Sequence, residues 1–277
     1  MRVFVTGATG FIGSAVVREL LSAGHQVTGL ARSDKAAAAV EAAGAQVFRG
    51  SLEDTGGLAA AAAAADGVIH TGYIHDFSAT GNPAAAAAVD GAAIAAVGEA
   101  LGGTGKPFVV ASGLPAAEPG QVVTEEVAAT ENPHWPRVSE VERVPAGTLL
   151  NAIGDEGVPF RDIAETIGRH LDVPVKSITA EESARHFGTF AAFAAFDVPA
   201  SSARTRERFG WRPVEPGLIA DLDQGHYFTV PDHRRSLADG DLVSIRLPAL
   251  TGFLIPVSPS RRGCWRSSAA STRGTGR

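Results

Sequence analysis

One cysteine, Cys264, in a chain of 277 residues leaves no internal disulfide to form and no thiolate cluster to hold a structural zinc. Tyrosine is nearly as scarce, with Tyr73 and Tyr227 alone, and lysine occurs three times, at Lys35, Lys106 and Lys176. Arginine fills the other 21 basic positions, a bias that by itself carries no nucleic-acid signal. Charge is also uneven. Residues 1–228 carry 16 basic and 27 acidic groups, whereas residues 229–277 carry 8 basic and 3 acidic ones. The acidic body argues against a phosphate-backbone partner, which is gripped by clustered positive charge. No apolar run reads as long enough to span a bilayer, so no membrane partner is expected. The strand-like opening Arg2-Val-Phe-Val5 lacks the basic, apolar and small-residue regions of a secretory signal, and the expected location is the cytoplasm. No metal-ligand spacing occurs.

What is present is an alternation of short apolar strands with alanine-rich helical stretches, the rhythm of a parallel sheet with crossover helices. Strands are expected at 2–6, 26–31, 45–49, 67–70 and 108–111. Helices are expected at 11–23, 34–43, 55–64 and 83–101, the last with Pro83 in its first turn and Gly102-Gly103 at its end. The rhythm weakens through 113–136, a loop-rich stretch with prolines at 115, 119, 133 and 136. It resumes with helices from about 158 to 171, over 180–188 and over 218–225. Phe187, Phe190, Phe193 and Phe196 recur every three residues, which reads as a packing face. The expected fold is α/β: a Rossmann-type, doubly wound parallel sheet with a small, mostly helical C-terminal lobe. The expected divisions are 1–150 for the sheet domain, 151–228 for the lobe, and 229–277 for an irregular or disordered tail with one short strand at 242–247.

The segment Val3-Phe-Val-Thr6-Gly7-Ala8-Thr9-Gly10-Phe11-Ile12-Gly13 carries the chemistry. Three glycines stand where the first strand turns into the first helix. Gly7 permits the tight turn, Gly10 lets backbone approach a pyrophosphate, and Gly13 lets the helix pack closely on its strand. A phosphate there meets a helix N-terminus, whose N–H groups and dipole favour anions. This is the pattern of an NAD(P) site, with Thr6, Thr9, Phe11 and Ile12 joining the glycines. At the second strand's end an acidic residue would bind a ribose 2′-hydroxyl and an arginine a 2′-phosphate. Arg32 and Ser33 stand there, favouring NADP, with Asp34 beside them keeping NAD open. Ser51-Leu52 after the third strand and Thr71-Gly72 after the fourth read either as cofactor borders or as plain strand-to-loop residues.

On Thr6–Gly13 together with Gly67-Val-Ile-His70 and Phe108-Val-Val-Ala-Ser-Gly113, the chain resembles the extended and atypical short-chain dehydrogenase/reductases, the NAD-dependent epimerase/dehydratase superfamily. The resemblance covers about residues 1–143 and returns from Asn151 to Phe228. It implies a tyrosine with a lysine four residues later, on one helical face, where the lysine lowers the tyrosine pKa for proton exchange. Here the positions four beyond Tyr73 and Tyr227 are Phe77 and Pro231, so the pair is absent. The resemblance also implies a serine after the fifth strand, for which Ser112 is the candidate, one residue before the aligned Gly113. It further implies several tens of residues between Arg143 and Asn151 that this chain lacks, a sheet strand among them, and makes 229–277 unrelated sequence.

His75, next to Asp76 beyond the fourth strand, is the other candidate acid or base. His70 reads first as a strand-end histidine. His134 and Trp135, and Ser139 with Glu140, read as surface-helix residues; Glu125-Glu126 and the Arg204, Arg206, Arg208 cluster read as solvated charge. Three functions follow: an NAD(P)-dependent oxidoreductase moving hydride to or from a small carbonyl or alcohol; a non-catalytic NADP-binding sensor or regulator; or a truncated, inactive family member. A small molecule is the expected partner, and the family's habit implies a homodimer through the 83–101 and 134–143 helices.

Overall fold

The computed structural model describes residues 1–74, 83–114, 120–127, 149–188, 191 and 197–228. Within them five parallel strands, β1 (Arg2–Thr6), β2 (Gln26–Ala31), β3 (Gln46–Arg49), β4 (Gly67–His70) and β5 (Phe108–Val110), form one sheet in the order β3-β2-β1-β4-β5. β1 is central, with Val3 paired to Val27 on one side and Gly67 on the other. Side chains of a strand alternate between faces, and β1 therefore feeds two cores. Phe4 packs with Leu30, Leu58, Val68 and Val97, whereas Val3 and Val5 pack with Val17, Val27 and Val40. Because both faces are covered, the strand reads as an unbroken apolar run, as parallel strands do.

The helices α1 (Phe11–Ser22), α2 (Asp34–Ala42), α3 (Thr55–Ala64) and α4 (Pro83–Leu101) supply those cores. Short polar side chains cap the starts of α2 and α3. Ser33 Oγ accepts from Ala36 N at the start of α2, and Asp54 Oδ1 accepts from Gly57 N at 2.9 Å at the start of α3. Lys106 Nζ donates to Ala63 O at 2.8 Å, placing a cation at the negative end of α3. One expectation is corrected here: α4, at 19 residues, is by length and composition apolar enough to cross a bilayer. Ala86, Ala87, Asp90, Ala93, Ile94 and Val97 on it are buried within the fold.

The chain divides into two compact units. Val198–Trp211 belongs with Met1–Ile153. The return is secured by Val123 N to Pro199 O and Ser201 N to Val123 O, both 2.8 Å, and by Asn151 Nδ2 to Ser201 O at 2.9 Å. It carries a helix that the sequence reading omits, α5 (Ala203–Phe209), because Ala-Arg-Thr-Arg-Glu-Arg-Phe has no apolar stripe. Its buried residue is Thr205. In the second unit, α6 (Phe160–Leu171), α7 (Ala180–Phe187) and α8 (Leu218–Asp223) precede a 3-10 turn at His226–Phe228. Ile163, Ile167 and Leu222 form its core. Thr179 and Glu182 close a reciprocal capping box on α7. Of the four spaced phenylalanines, Phe187 meets Phe160 edge-on at 6.4 Å; Phe190, Phe193 and Phe196 lie outside the described residues, as do the 134–143 helix and the tail.

At the entry to β1 and β4, Arg2 donates to Asp66 through both its guanidinium and its backbone N–H, each at 2.8 Å. The side-chain bond first, then the backbone bond, hold the Asp66 carboxyl down to about 2. A depressed carboxyl contributes stability above its ordinary value and loses it as pH falls through the folded one. Wild type should therefore lose stability relative to Asp66→Asn between about pH 4 and pH 2, as read by urea unfolding at stepped pH. Parallel curves would remove this assignment. In the core, Leu58→Ala at a fully buried position should cost about 2–5 kcal/mol in the same assay.

Candidate dinucleotide site

β1 ends at Thr6 and the chain turns back at Gly7, whose φ of +67° lies in the left-handed region that glycine enters freely. Gly10 N donates to Gly7 O at 2.8 Å, closing the turn, and Gly10 then stands as the N-cap of α1 with extended backbone and no side-chain cap. At Gly13 a Cβ would lie 2.0 Å from Gly7 O, so no side chain fits. Thr9 and Gly10 are exposed, and Phe11 and Ile12 are 48% and 58% exposed. The opening of α1 thus presents backbone at an accessible surface uncovered by any capping side chain, which suits a pyrophosphate.

Across from this turn lies the exit of β4. Thr71 Oγ1 donates to Thr6 O at 2.8 Å and Gly72 N donates to Thr6 Oγ1 at 3.1 Å. A Cβ on Gly7 would sit 2.7 Å from Gly72 N, so the two loops touch backbone to backbone. The Thr6 side chain is fully buried and engaged beneath the turn.

Arg32 is exposed directly beyond β2. Ser33 spends its oxygen on capping α2. Asp34 is bonded to Arg49 at 2.8 Å, and Arg49, the last residue of β3, is in register with Ala31. A second arginine therefore stands at the same edge of the sheet as Arg32, at the end of the neighbouring strand. Ser51 Oγ donates to Glu53 Oε2 at 3.1 Å within its own loop, and Leu52 packs against the core with its Cδ2 toward Gly72.

Ser112 is exposed two residues past β5, where Ala111 N donates to His70 O at 2.9 Å. His75 and Asp76 lie outside the described residues, as do His134, Trp135, Ser139 and Glu140. Tyr227 donates to Asp221, and that bond, reinforced by burial, pushes the phenol up to about 12. It keeps its proton through neutral pH. Glu125 is not solvated charge: Oε1 accepts from Thr205 N at 2.8 Å and Thr205 Oγ1 at 2.6 Å. Burial is the largest influence and opposes its ionisation, but the Thr205 bonds, a bond from its own backbone and the nearby Arg204 together leave the carboxyl below its ordinary value. Of the arginine cluster, Arg204 pairs with Glu126, Arg206 bonds Ser202 Oγ and lies 5.9 Å over Trp211, and Arg208 lies 5.4 Å over Phe209. Among the described residues no group of three His, Cys, Asp or Glu could hold a metal.

A parallel sheet in this order with a three-glycine turn at the end of its central strand defines a Rossmann-type dinucleotide-binding protein. The model of the NAD dependent epimerase/dehydratase family matches residues 3–137. An uncharacterized protein of Schizosaccharomyces pombe is 33% identical over 298 aligned positions, covering 82% of this chain and 100% of its own length. The chain belongs to the NAD dependent epimerase/dehydratase family. Because 82% of 277 residues is about 227, about 70 of those 298 positions stand opposite no residue here. The UDP-glucose 4-epimerase of Thermotoga maritima, solved with UDP-glucose, shares the fold at TM-score 0.56 and 19% identity over 86% of this chain and 100% of that one. A UDP-glucose-4-epimerase from Stenotrophomonas maltophila, solved with bound NAD, does so at 0.52 and 15% over 81% and 96%.

Gly13→Ala should destabilise the first unit by about 1–3 kcal/mol, because the added methyl overlaps Gly7 O. Thermal unfolding checks it; a wild-type midpoint would show that the turn relaxes freely.

Proposed function

We propose that this protein is an NAD(P)-dependent oxidoreductase that prefers NADP(H) and moves hydride to or from a small carbonyl or alcohol. The observation that carries the reading is the uncapped N-terminus of α1 behind a turn whose Gly7 and Gly13 admit no side chain. Gly7, Gly10 and Gly13 would receive the pyrophosphate, with Phe11 and Ile12 N–H groups toward it. Arg32 and Arg49 would meet a 2′-phosphate; the acidic residue that would otherwise suit a ribose hydroxyl, Asp34, is already engaged by Arg49. When bound, the nicotinamide would supply the hydride chemistry. Ser112 would hydrogen-bond the substrate oxygen, and His75 would hold the exchanging proton in place of the absent tyrosine. On this reading the protein works in the cytoplasm as a homodimer, on a small molecule rather than on nucleic acid or a membrane.

The absence of the Tyr-x-x-x-Lys pair favours a second reading, an NADP-binding sensor without turnover. Fluorescence titration with NADPH and NADH addresses both readings. Wild type should bind NADPH more tightly, Arg32→Ala should lose about 1.5–3 kcal/mol of that binding with NADH little changed, and Gly10→Glu should bind neither. Folded wild type that binds neither dinucleotide defeats both readings. Binding without oxidation of NADPH across a panel of small aldehydes and ketones leaves the sensor standing and the oxidoreductase rejected.

A further inference from the structure

Beneath the dinucleotide turn runs a line of buried polar groups that hydride chemistry leaves unused. His70, on β4, is 0% exposed; its Nδ1 lies 2.8 Å from Thr6 Oγ1 and its Nε2 lies 2.9 Å from Asp90 Oδ1. Thr6 is 0% and Asp90 1% exposed, and Thr6 Oγ1 also accepts from Gly72 N at 3.1 Å. With a neutral ring, Gly72 N–H donates to Thr6 Oγ1, the Thr6 hydroxyl donates to His70 Nδ1 and His70 Nε2–H donates to the Asp90 carboxylate; a protonated ring donating to both neighbours closes the same line. A carboxylate midway along the apolar helix α4 is expensive to bury, and such groups persist where they are fully bonded. The line ends on Gly72, whose N would lie 2.7 Å from a Cβ on Gly7.

We propose that Asp90, His70 and Thr6 are positioning residues that hold the Gly72 backbone against Gly7, and so set the inner side of the dinucleotide cleft, at the pyrophosphate and the ribose beyond it. This inference rests on the dinucleotide reading above. The adenosine end, at Arg32 beyond β2, lies two strands from β4, so the line bears on one half of the ligand and not the other. A merely structural role would have no such preference.

The experiment titrates NADPH and adenosine 2′,5′-bisphosphate, the adenosine half alone, into wild type, Asp90→Leu, Asp90→Asn and Thr6→Val, with folding of each followed by circular dichroism. Asp90→Leu and Thr6→Val should lose on the order of tenfold in NADPH affinity and keep their affinity for the bisphosphate. Asp90→Asn, whose amide oxygen still accepts from His70, should stay within about threefold of wild type for both. Equal loss of both ligands, or of neither, in folded variants overturns the proposal. Should Asp90→Leu not fold, Thr6→Val, which removes one hydroxyl and keeps the side-chain shape, decides; if that also fails to fold, the line serves folding and the positioning claim falls. Wild type that binds neither ligand instead overturns the dinucleotide reading, and this inference with it.

Discussion

The contact between Gly13 and the carbonyl of Gly7 is the constraint from which the site follows. With no Cβ at 13, α1 begins directly against the end of β1, and its first N–H groups face outward from the carboxyl edge of the sheet. A side chain there would push helix from strand and open the turn that Gly10 N and Gly7 O close at 2.8 Å. The central place of β1 makes this costly to disturb, because Val3, Phe4 and Val5 join both cores. Fold and site are thus tied at one backbone approach, and the loop after β4 is tied to it in turn through Gly72.

Much of this was legible from local pattern. The limits of β1, β2, β4, α3 and α4 agree with the apolar runs and the proline and glycine punctuation that mark them, whereas β5, α1 and α2 end a residue short of the expected limits and β3 begins a residue late. The glycine turn could be read because each of its glycines answers a local backbone demand. What stayed hidden depends on residues distant in the chain. Arg49 joins Arg32 at one edge of the sheet only through the β2–β3 register, which pairs it with Ala31. His70 looks like any strand-end histidine until Asp90, twenty residues on, and Thr6, sixty-four residues back, close on its ring. Helix α5 has no stripe to announce it, since its bonds run to Glu125, Glu126 and Ile153.

The scarce residues also found particular uses. Lys106, one of three lysines, caps α3, and Tyr227, one of two tyrosines, is committed to Asp221. Neither arrangement resembles the proton-exchanging pair of the family. In the described part of the first unit, what the chain keeps of its family is the cradle for a dinucleotide rather than the proton machinery beside it.

Asp90 bears on a further matter, the fate of α4 during synthesis. Nineteen residues of mostly alanine would pass as a membrane span by length and composition. An ionisable acid near the middle of such a segment disfavours transfer into lipid by about 2.5–3.5 kcal/mol on insertion scales. A side chain that in the finished fold sits against His70 would thus, in the nascent chain, weigh against partition of the helix into a bilayer. Its replacement by leucine would remove both the partner of a histidine and a mark that separates a core helix from a transmembrane one.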